Sequence, residues 1–203
     1  AGLTKTAKQF GTALVGANVF YKVISEIRQG VNYIKEIDLA MTELKKVTDE
    51  TTASYDNFLS SASERASKLG STVSDFTEAT ANFARLGYTM EESSNMAETA
   101  ILYKNVADGL DTVEESTDSI ISTMKAFGIE SDNTMSIIDK FNAVGNNFAI
   151  TSAGIGEALQ RSASALQSAG NTLDESVGLV TAANSVIQNP EQVGEMLADY
   201  KVA

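Results

Sequence analysis

Pro190 is the only proline among 203 residues, and no other feature limits the architecture as much. Proline ends or kinks helices, because it lacks the amide that bonds the carbonyl four residues back and its ring clashes there. A chain with one proline is free to be helical almost throughout. The apolar residues use that freedom, recurring at spacings of three and four. Val113, Thr117, Ile120, Ile121, Met124 and Phe127 fall on one helical face. So do Phe76, Ala79, Phe83 and Leu86; Met135, Ile138, Phe141 and Val144; Ile155, Leu159 and Leu166; and Leu173, Val177, Val180 and Ile187. No segment sustains alternation with period two, so no strands are predicted and the expected class is all-α.

Glycine punctuates the stripes at Gly70, Gly87, Gly109, Gly128 and Gly170, each just past an apolar run. A helix often closes on one residue in the left-handed region, where a missing Cβ removes the steric cost. These five are the expected helix-end glycines. An apolar residue follows three of them, Tyr88, Leu110 and Ile129, as in a Schellman ending, where the chain folds back onto the helix it has left. Helix starts come next. Thr72 with Asp75, Thr89 with Glu92, Thr112 with Glu115 and Thr172 with Glu175 have the spacing of a capping box, in which hydroxyl and carboxylate satisfy free amides reciprocally. Short links between stops and starts predict antiparallel neighbours. Gly87, Gly128 and Gly170 lie 41 and 42 residues apart, the length of a helical hairpin, and an acidic first turn follows each. The same spacing suits an array of hairpins or an ordinary antiparallel bundle.

Residues 1–48 differ from residues 49–203. Phe20, Ile24, Ile27, Val31, Ile34, Ile37, Met41 and Leu44 keep a three-four rhythm over many turns, and Phe10, Leu14 and Ala17 extend it upstream. This pattern predicts a long amphipathic helix or coiled-coil seam ahead of the hairpin domain, with a pair of core helices as the alternative. Gly30 is its weak point, costing up to about 1 kcal/mol against alanine. Asn142 to Gly156 reads as the longest loop or a kinked helix end.

The chain contains no cysteine, histidine or tryptophan. That removes disulfides, thiolate and imidazole metal sites, and cysteine or serine-histidine nucleophiles. Carboxylate acid/base work and oxygen-ligand cation sites remain, with 27 acidic residues available. Residues 1–50 carry 7 basic and 6 acidic side chains, residues 51–203 carry 8 and 21. The second part would repel phosphate backbones and has no basic cluster, so direct nucleic-acid binding is not expected. The uncharged run Gln9 to Tyr21 is shorter than the roughly 20 residues of a membrane span. The chain opens with Ala1 rather than Met and reads as a piece of something longer, assembled in the cytosol.

Two features invite a chemical reading. Gly154-Ile155-Gly156 lacks the preceding strand, the third glycine and the lysine of a phosphate loop, and reads better as a flexible helix start. The pairs Glu91-Glu92, Glu114-Glu115 and Asp174-Glu175 could be catalytic or metal-binding, but each lies in a predicted first helical turn, where negative charge offsets exposed amides. No catalytic, cofactor or metal residue is assigned. The methionines Met41, Met90, Met96, Met124 and Met135 read as core filler.

Taken in order, several elements resemble the core region of phage tail tape measure proteins. These are Glu43 to Thr48 followed by Ala62 to Gly70, then Phe83-Ala84-Arg85-Leu86-Gly87-Tyr88, and then Gly109-Leu110-Asp111. Met124-Lys125-Ala126-Phe127-Gly128-Ile129, Asn146-Asn147-Phe148 through Leu159, and Ala169 through Ser176 continue the series. The resemblance spans about residues 37–194 and rests on order and spacing. After Gly194 the chain turns acidic where the family has a basic helix. The resemblance implies a non-enzymatic, cofactor-free component of the virion tail, assembled in the host cytoplasm. Its length would set that of the tail, and it would leave the tube before DNA passes. Implied partners are tail-tube, tail-tip and tail-chaperone proteins and further copies of itself, with membrane contact only at infection. The rival readings are a cytosolic helical adaptor or receptor-like scaffold, and a carboxylate-dependent enzyme using Glu91, Glu92, Asp174 or Glu175.

Overall fold

The computed structural model describes residues 30–199. Phe10, Leu14, Ala17, Phe20, Ile24 and Ile27 of the amphipathic stripe, and the uncharged run they sit in, lie outside the described residues. Two units divide the chain, Ala1–Leu39 and Ala40–Ala203. Residues 30–47 are helical (α1). In the first unit, Val31, Tyr33, Ile34 and Leu39 of this helix are exposed. In the second unit, its Ala40, Met41 and Leu44 are buried.

The second unit continues with α2 (Thr52–Lys68), α3 (Val73–Ala84), α4 (Met90–Val106) and α5 (Val113–Phe127). A 3-10 turn (Ser131–Asn133) leads into α6 (Thr134–Gly145), and α7 (Ser152–Ser168), α8 (Leu173–Ile187) and α9 (Pro190–Ala198) follow. The fold is all-helical, with no strand among the described residues.

Side chains written at the helix starts decide where each rod begins. Thr89, Thr112 and Thr172 form complete capping boxes with Glu92, Glu115 and Glu175. Thr72 accepts from the Asp75 amide, but the shorter aspartate receives the Ser71 hydroxyl at 3.4 Å instead of closing the box. Three further caps carry no carboxylate: Thr51 accepts from Ser54 N, Thr151 from Gly154 N and Asn189 from Gln192 N. At α9 the lone proline occupies the first turn, where its missing amide is no loss.

At the other ends, Gly70, Gly87, Gly109, Gly128 and Gly170 have φ of 65°, 92°, 87°, 64° and 91°. Gly170 closes α7 as a Schellman motif: the Asn171 amide bonds Leu166 O at 3.1 Å and the Gly170 amide bonds Gln167 O at 2.9 Å. After Gly128 the Ile129 amide reaches back to Met124 O at 3.0 Å. The Gly87 turn closes sooner, with the Gly87 amide on Ala84 O at 2.9 Å. Gly109 stands apart, because α4 is already capped at an extended Ala107. Helix α8 ends without glycine, on a left-handed Gln188 at φ 54°.

The helices pack as successive hairpins. α3 lies on α4, α5 contacts α6, and α7 contacts α8, while the odd-numbered α3, α5, α7 and α9 touch one another in chain order, as do α4, α6 and α8. Helix α7 is central, packed by α5, α6, α8 and α9. The core between them gathers Phe83, Met96, Tyr103, Ile120, Met124, Phe141, Ile155 and Leu159. Each large apolar side chain so buried contributes roughly 1.5–3 kcal/mol. Several buried serines and threonines bond back within their own helix: Thr77 to Val73 O at 2.7 Å, Thr80 to Phe76 O at 2.8 Å, Thr123 to Ser119 O at 2.9 Å and Ser162 to Ala158 O at 2.8 Å.

Three expectations are revised. The break expected over Asn142 to Gly156 is shorter than that range, since α6 runs to Gly145 and α7 begins at Ser152, leaving residues 146–151, a link as long as that at 107–112. Gly154 and Gly156 are not a flexible start but close-packing positions. A Cβ on Gly154 would stand 2.9 Å from Pro190 Cγ, and one on Gly156 would stand 2.2 Å from Ser119 Oγ. Among the methionines, Met41, Met96 and Met124 are core, but Met135 is 39% exposed. Helix α6 rotates Ile137 inward beside Ile138 and Phe141 instead.

Candidate functional site

The acidic pairs divide their labour within the first turn of each helix. Glu92 Oε2 accepts from the Thr89 amide at 2.8 Å and the Thr89 hydroxyl at 2.7 Å. Glu115 Oε2 accepts from the amides of Asp111 and Thr112 at 2.9 and 3.1 Å, and Glu175 Oε2 from the Thr172 amide at 2.8 Å. Hydrogen bonds to the charged form hold all three carboxyls below the ordinary value. The Thr89 hydroxyl leads at Glu92, the Asp111 amide at Glu115 and the Thr172 amide at Glu175. Asp174 pairs instead with Lys140 of α6. A general acid needs the opposite tuning, a raised pKa beside a space for substrate.

Asp118 is the carboxyl shifted upward, by partial burial first and by the charge of Glu114 one turn earlier second. Among the described residues no group of three or more acidic side chains is arranged to hold a metal ion, and no helix is long and apolar enough to cross a membrane.

Basic residues act as ties between helices. Arg65 on α2 donates to Glu98 at 2.7 Å, to Ser94 O at 3.0 Å and to Asn95 Oδ1 at 3.0 Å on α4, and its guanidinium lies 5.1 Å from the Phe76 ring centroid on α3. Arg85 reaches Glu43 at 3.0 Å, and Arg161 reaches Glu191 at 2.6 Å. With their donors engaged in this way, these cations tie neighbouring helices to one another.

The structure adds a buried polar junction centred on Tyr103. Tyr103 on α4 donates to Ser152 O at 2.8 Å, and Ser152 Oγ donates to Asn142 Oδ1 of α6 at 2.6 Å. Burial pushes the Tyr103 hydroxyl well above its ordinary pKa, so it remains a neutral donor. Ser119 of α5 fills the space left by the missing Gly156 side chain. The available signal was register: Met96, Ala100 and Tyr103 share one buried face of α4. Its hydrogen bonds join α4, α6 and α7, with Ser119 of α5 packed beside them, and it contains no charged or nucleophilic pair.

Among the described residues, two depressions bear on binding. A polar cleft of about 280 Å³ lies between the α4–α5 turn and α7, lined by Gly109, Glu115, Ser119, Glu157, Gln160 and Arg161 among others. Its charged groups already serve a cap or ion pairs. An apolar groove of about 370 Å³ lies between the end of α6 and α8, lined by Val144, Phe148, Ala149, Gly178, Thr181, Ala182 and Ser185. No charged residue occurs in residues 141–156 or 176–190, which supply this groove. Phe148 is 60% exposed at its edge and Val186 83% exposed beside it.

A family described as phage-related minor tail protein matches residues 62–199, more than half of the chain. The match covers α3 to α9 and the end of α2, from Ala62 to Lys68. No solved structure matches the chain.

Proposed function

The chain belongs to the phage-related minor tail protein family, and from that premise we propose that it is the core region of a tail tape measure protein, the component whose length sets the length of the tail. The observation that carries the reading is the order of capped helix ends. The elements around Gly87, Gly109, Gly128 and Gly170 that resemble tape measure cores all fall within the matched residues. Supporting it, carboxylates and guanidiniums are engaged in caps and interhelical ties, and the groove beside α8 is uncharged. Such a molecule works through shape and association. Its partners are the tail-tube, tail-tip and tail-chaperone proteins, met through helix faces. Residues 1–48 form the amphipathic segment through which copies associate, and residues 49–203 the hairpin domain.

The reading is tested in the phage itself by deleting residues 129–170 in frame, which joins Gly128 to Asn171 and keeps a glycine ahead of Thr172. Electron microscopy should show shorter tails. Virions with tails of unchanged length would remove the length-setting role and leave a tail component of another kind.

A further inference from the structure

We draw no further inference here: the strongest candidate, the uncharged groove between the end of α6 and the outer face of α8 with Phe148 and Val186 exposed beside it, is an unpartnered apolar face, and nothing in the structure shows what covers it.

Discussion

Gly156 and Gly178 are the same residue inside two helices with opposite physical roles. A side chain on Gly156 would strike Ser119 Oγ at 2.2 Å and Ser119 Cβ at 3.1 Å, with Tyr103 Oη at 3.4 Å. One on Gly178 meets nothing within 4 Å. Replacing Gly156 with alanine should therefore overpack the α5–α7 contact and cost about 1–3 kcal/mol. Gly178→Ala should stabilise by up to about 1 kcal/mol, since it only removes backbone freedom from the unfolded chain. Urea midpoints of the two variants measure the contrast, and equal shifts would show that close approach does not set the need for glycine at 156. Sequence alone cannot separate the two cases. The letters Gly154-Ile155-Gly156 are as suitable for a flexible start as for packing, and the partners that decide between them, Pro190 and Ser119, lie more than thirty residues away. The Tyr103 bond to Ser152 spans 49 residues and ends on a backbone carbonyl, an acceptor every residue offers. The sequence marks only the buried register of Tyr103 on α4, not its partner.

Helix boundaries were more legible, because their causes are local. Thr89, Thr112 and Thr172 announce their helices by a glutamate three residues on, and all three boxes close. Thr51, Thr151 and Asn189 cap equally well but lack that carboxylate, so they look like any hydroxyl or amide in a link. Gln188 ends α8 in a conformation that glycine normally advertises. The boxes also give stability a pH dependence. Glu92, Glu115 and Glu175 have folded pKa values lowered from 4.5, so the unfolded chain takes up protons first as pH falls. Their contribution is complete above 4.5 and is lost as pH falls through the lowered values. Asp118 has the opposite sign: its folded value is raised from 3.8, so it opposes folding when ionised and ceases to do so on protonation. Replacing all three glutamates with glutamine keeps the cap geometry and should flatten the acid limb of a urea-midpoint profile taken between about pH 7 and pH 3. An acid limb as steep as that of the parent protein would place the titration elsewhere.

For the whole molecule, hydrophobic period and punctuation dictate hairpins, and hairpins are what form. What the periodicity left open was the depth at which each rod sits, and that depends on how many neighbours surround it. The stripe running from Val31 to Leu44 shows the limit: Met41 and Leu44 are buried in the second unit, while Val31 and Ile34 stay exposed in the first. If residues 1–48 associate copies, light scattering should find an oligomer for residues 1–203 and a monomer for residues 40–203. A monomer in both cases at high concentration would leave the exposed stripe without that role. Helix α7 has a consequence of its own. It packs against four helices and is built largely of alanine, glycine and serine, with two glycines in its opening turns. Residues so small forfeit little rotamer freedom on being enclosed, yet glycine and serine are poor helix formers alone. A peptide of residues 151–170 should be essentially random coil by circular dichroism, less helical than one of residues 89–107, and comparable helicity would contradict this. The rod at the centre is thus shaped by the company around it, and the surrounding helices cannot complete their own burial until it arrives.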